Sequence, residues 1–96
     1  MNDVERSGLE RVLVSYFSDN STAEGVREML GVTRARADYH DRYRGFLAAG
    51  LTAARAGDED ALRAVRRLAP FTADLAAAVS LLEDVLTEYD RQYALG

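Results

Sequence analysis

There is no cysteine in the 96 residues, so disulfide staples and thiolate chemistry are both excluded. Tryptophan is absent, and so is lysine: all twelve basic residues are arginines. With the abundance of alanine, this reads as base-composition bias and not as twelve selected guanidinium sites. Proline occurs once, at Pro70, so little interrupts helical backbone. The single histidine, His40, cannot build a multi-histidine metal site. No Glu stands three residues before it, so the Glu-x-x-His signature of four-helix di-metal proteins is missing too. No apolar run approaches the roughly 18 residues that a membrane span requires. The opening Met1-Asn2-Asp3-Val4-Glu5 is acidic where a signal peptide would be basic and then apolar. The expected protein has no metal, no cofactor and no membrane segment, and it works in a cytoplasm of bacterial type.

Helical periodicity dominates what is present. Leu75, Val79, Leu82, Leu86, Tyr89 and Tyr93 alternate spacings of four and three, the apolar seam of a long packed helix. Leu9, Val12, Leu13, Tyr16 and Phe17 give a second apolar face. Tyr39, Tyr43, Phe46, Leu47, Leu51 and Ala54 give a third, with Gly50 among them where another helix would approach closely. Asn2 or Ser7 caps the first helix, each with a Glu three residues on, and Ser21 with Glu24 forms a second capping box. Gly31 fits the left-handed position after helix two, Thr33 the cap of helix three, Asp58 that of helix four and Thr72 that of helix five. Gly57 and Pro70 stop helices three and four. The reading is one all-α domain over 1–96, a compact bundle of four or five antiparallel helices near 3–18, 22–30, 33–56, 58–69 and 72–94. A chain this short buries roughly 60–70% of its unfolded surface, which leaves little room for a deep pocket.

Several features invite a chemical reading. Asp58, Glu59 and Asp60 cluster at one helix start, and Asp84 and Glu88 stand four apart on the last helix. An acid–base pair needs a pocket, which a flat helix face does not offer, so these five are candidate partner-binding acids. His40 has Asp38 and Asp41 nearby, neither at helical spacing, and reads as a surface or boundary histidine. Arg34, Arg36, Arg42 and Arg44 scatter around their helix, with Asp38–Arg42 and Asp41–Arg44 spaced to neutralise one another. Residues 22–40 also resemble a helix-turn-helix through Val26, Leu30, Gly31 and Val32, and Thr33, Arg34 and Arg36 would then open a DNA-reading helix. Against that stand Arg27 where a small residue is usual, and a second helix long for a reader. In this alternative, or in a self-assembling scaffold, the last helix supplies a homodimer seam. The net charge of −4 suits a basic partner better than a polyanion.

The segment from Leu9 to Asp19, carrying Tyr16-Phe17-x-Asp19 and followed by Thr22, Glu24, Val26 and Leu30, resembles the opening of contact-dependent growth inhibition immunity proteins. The stretches from Tyr43 to Asp58 and from Leu81 to Tyr89 are compatible with the same layout. The resemblance implies a non-enzymatic inhibitor that binds a cognate toxin domain and blocks it by steric and electrostatic occlusion. A basic toxin domain is the expected partner, with nucleic acid entering only under the helix-turn-helix alternative.

Overall fold

A computed structural model describes residues 1–96 as five helices and no strand: α1 (Asp3–Phe17), α2 (Thr22–Thr33), α3 (Ala37–Arg55), α4 (Glu59–Leu68) and α5 (Leu75–Leu95). α1 packs on α2, α3 and α4 from one side, and α5 packs on the same three from the other. α1 and α5 do not pack against each other. The fold is therefore a layer of three helices covered on both faces, with a radius of gyration of 12.2 Å. That is what a compact chain of this length has, about 12.5 Å. Leu9 and Leu13, Val26 and Met29, Leu47, Val65, Leu82 and Tyr89 are all fully buried, so every helix contributes to one core.

The caps follow the sequence in four places. Asn2 and Glu5 make the first capping box, with Asn2 Oδ1 accepting from the Glu5 N–H at 2.8 Å, so Ser7 is helix interior. Ser21 and Glu24 make the second. Gly57, at φ +84°, ends α3: its N–H reaches the Ala54 carbonyl and that of Asp58 reaches Ala53, the Schellman pattern. Asp58 then caps α4 by accepting from the Asp60 N–H. A single glycine thus joins two helices, because only glycine enters the left-handed region without strain.

Four expectations are corrected. Gly31 is not a left-handed cap: α2 runs through it to Thr33. An exposed helical glycine costs about 1 kcal/mol, which is offset by sealing Thr33 inside, where its hydroxyl accepts from Tyr89. Thr33 accordingly does not cap α3. That helix begins at Ala37 after an extended Arg36 that makes no side-chain cap bond. Thr72 does not cap α5 either. Its buried hydroxyl donates to the Ala69 carbonyl at 2.7 Å, and Asp74 is the cap, accepting from Ala77. Finally, the buried line of α5 is Ala78, Leu82, Val85 and Tyr89, while Leu75, Val79 and Leu86 flank it and Tyr93 stands exposed. The larger residues had drawn the seam toward one side of the true core face. Alanine at 78 is what lets the helix come close.

Candidate functional site

The largest recess is an open groove of about 600 Å³ between α1 and α3. On α1 its floor and wall come from Val4, Gly8, Arg11, Val12, Ser15 and Tyr16, which recur every three to four residues along one stripe. On α3, Tyr39, Arg42, Tyr43 and Phe46 form the matching stripe. Gly8 has no side chain because the Phe46 ring occupies that space, lying flat over α1. Tyr43 bridges the two walls, its ring centroid 6.2 Å from Tyr16 and 5.5 Å from Tyr39. Burial, then the neighbouring Tyr43, raises the Tyr16 pKa, so its phenol stays protonated. The Tyr39 ring is flanked by two guanidiniums, Arg36 at 4.7 Å and Arg42 at 5.4 Å from its centroid. The four aromatics are all only partly buried, and Val4 is 72% exposed. Chemically, this is a wet-edged apolar trough with cationic rims and no nucleophile poised beside a base.

The arginines around it differ from their expected roles. Asp38 pairs with Arg36, not Arg42, through two contacts at 3.1–3.2 Å. Arg44 reaches across to Asp90 on α5 with a bidentate pair at 2.8 Å, not to Asp41. Six arginines hold carboxylates (Arg6, Arg36, Arg44, Arg55, Arg63, Arg91) and two, Arg34 and Arg66, hold main-chain carbonyls. Arg11, Arg27, Arg42 and Arg67 have neither, and the first and third of these line the groove.

The five candidate acids do not form one patch. Asp58 is tied to the Met1 amino group and to the α4 start, which holds its carboxyl below the usual range. Asp60 pairs with Arg63, while Glu59 is exposed and unpaired. On α5, Asp84 is exposed and unpaired, but Glu88 is bound by Arg91 and Gln92, which lower its pKa to about 2. Asp84 and Glu88 do share a shallow depression with Thr22, Ala23 and Thr87.

The residues of the helix-turn-helix alternative are dispersed. Thr33 is 2% exposed and closes α2, where a reading helix would need it open to solvent. The Arg34 guanidinium donates to the Gln92 carbonyl, and Arg36 is paired with Asp38. His40 lies half-buried, as the boundary reading expected. Its ring stacks on Tyr93 at 4.1 Å and its Nδ1 stands 2.7 Å from the Tyr89 hydroxyl. The Tyr89 hydroxyl thus links His40 on α3 to Thr33 on α2 in one hydrogen-bonded chain. No three His, Asp or Glu side chains converge as a metal-holding group.

The groove is what the sequence reading missed. The apolar stripe of helix three does carry Tyr43 and Phe46 against the core, but together with Tyr39 they keep an open edge that lines the groove. The available signal was Arg42, three residues from Tyr39 and four from Phe46: a face that mixes a guanidinium with rings is an edge, not a core. No family model, curated protein or solved structure matches the chain.

Proposed function

We propose that this chain is a non-enzymatic protein-binding module of the immunity type, one that occludes a cognate toxin domain. The observation that carries the reading is the α1/α3 groove, where four partly exposed aromatics stand beside two arginines without carboxylate partners. Aromatic and arginine side chains dominate the energetic centres of protein interfaces, and rings held on helices lose little freedom on binding. The negative net charge adds a longer-range effect: it raises the encounter rate with a basic body, while the groove sets the residence time. No helix is long and apolar enough to cross a membrane, consistent with a partner met in solution.

The reading expects a toxin domain encoded beside this gene, and the test is whether the chain binds that domain and protects cells from it. Tyr43→Ala should weaken the complex about 30-fold, equivalent to about 2 kcal/mol, chiefly through faster dissociation. Asp84→Arg should slow association without changing dissociation. A chain that neither binds that domain nor restores growth rejects the reading.

A further inference from the structure

We infer that the α1/α3 groove takes an apolar peptide segment of the partner flanked by carboxylates, with Arg11 and Arg42 receiving the acids. The inference rests on the protein-binding reading and specifies its chemistry. Two independent observations combine. The trough itself is apolar and aromatic, lined by Val12, Tyr16, Tyr43 and Phe46, and open along its length, which suits a chain segment better than an enclosed small molecule. Its ionic balance runs against that of the whole molecule. Of the charged groups that line it, Asp3 is paired with Arg6, while Arg11 and Arg42 have no carboxylate or carbonyl partner.

On a chain of net charge −4, in which eight of twelve arginines are already engaged, two free guanidiniums on one trough make a local cationic site. Guanidinium binds carboxylate in bidentate fashion with high directional preference. The other recess holding a free arginine, around Arg27, Gly31 and Gln92, has no aromatic wall. A uniformly basic surface on the partner would meet repulsion at this groove, so the acids must lie beside the apolar residues that enter it.

The probes are three synthetic peptides of one length. One alternates leucine or phenylalanine at helical spacing with aspartate and glutamate. The second replaces each acid by lysine, and the third keeps the acids but replaces each apolar residue by serine. In amide chemical-shift titrations at low salt, the first peptide should saturate, with its shifts confined to the stripes around Gly8, Ser15, Tyr39 and Tyr43. The lysine and serine peptides should each bind at least ten-fold more weakly. Arg11→Glu with Arg42→Glu, at positions whose side chains hold no carboxylate or carbonyl of the chain, should reverse the preference toward the lysine peptide.

Equal binding of the first two peptides overturns the carboxylate assignment. Equal binding of the acidic serine peptide reduces the groove to a polyanion site and overturns the inference likewise, as does the absence of any saturable shift. The two levels separate cleanly with the neighbouring toxin domain. If Tyr43→Ala weakens that complex and the double arginine variant does not, the protein-binding reading stands and this inference falls.

Discussion

Gly31 faces solvent in the last turn of α2, with ordinary helical backbone and nothing within 4 Å of where a Cβ would stand. Gly50 is buried on α3, and Leu9 fills that place. The two therefore respond oppositely to one methyl group. Gly31→Ala should stabilise the fold by about 0.5–1 kcal/mol through reduced backbone entropy in the unfolded chain. Gly50→Ala should destabilise it by about 1–3 kcal/mol by overpacking against Leu9. Urea denaturation with unchanged m-values checks both. A loss of stability in Gly31→Ala would restore the left-handed cap that the sequence suggested. The close approach at Gly50 was legible because the glycine fell on an apolar stripe. The role of Gly31 was not, since glycine after a short amphipathic run is the usual stop signal, and only the distant Tyr89 makes continuation worthwhile.

At the level of elements, the caps that depend on neighbours in sequence were readable, and those that depend on tertiary partners were not. Asn2, Ser21, Gly57 and Asp58 act on residues two to five away. Thr33 looks like a cap in the sequence, yet it turns inward to Tyr89, 56 positions distant, while Thr72 fails as a cap for a local reason: it turns back to Ala69, three residues before it. The pairing of α2 with α5 rests on this inward turn. Tyr89→Phe leaves the Thr33 hydroxyl without its donor and removes the contact with His40. The expected loss is about 1–2 kcal/mol, a fall in Tm of about 4–8 °C for each kcal/mol at this size. A Tm unchanged within 1 °C would show that the three-residue chain contributes nothing net. The groove was hidden by a choice between local partners: Asp38 stands four residues from Arg42 on one helix, but it turns back to Arg36 and leaves Arg42 against Tyr39.

Across the whole molecule, carboxylates set the response to acid. Partner guanidiniums, an amino group and helix-start N–H groups hold Glu24, Asp38, Asp58, Glu88 and Asp90 below their ordinary values, Glu88 from 4.5 to about 2. A depressed folded-state value means stability that is fully present above the unfolded value and lost as pH falls through the folded one. Tm should thus be level from pH 6 to pH 5 and decline between about pH 4.5 and pH 2. Glu88→Gln should show a shallower decline in thermal melts over that window, and parallel curves for the two proteins would remove Glu88 as a contributor.

The all-α architecture itself was evident from periodicity, and its surface was not. One connection also carries its own brace. Between α4 and α5, Thr72 turns back on Ala69, Arg66 grips the Thr72 and Ala73 carbonyls at 2.9 and 3.0 Å, and Phe71 is left 88% exposed at the tip. The Arg66 side chain thus ties the end of α4 to the backbone that leads into α5. At the α2–α3 junction the brace is ionic instead: Arg36 makes no cap bond to an α3 backbone N–H, but its guanidinium holds Asp38 in the first turn of that helix.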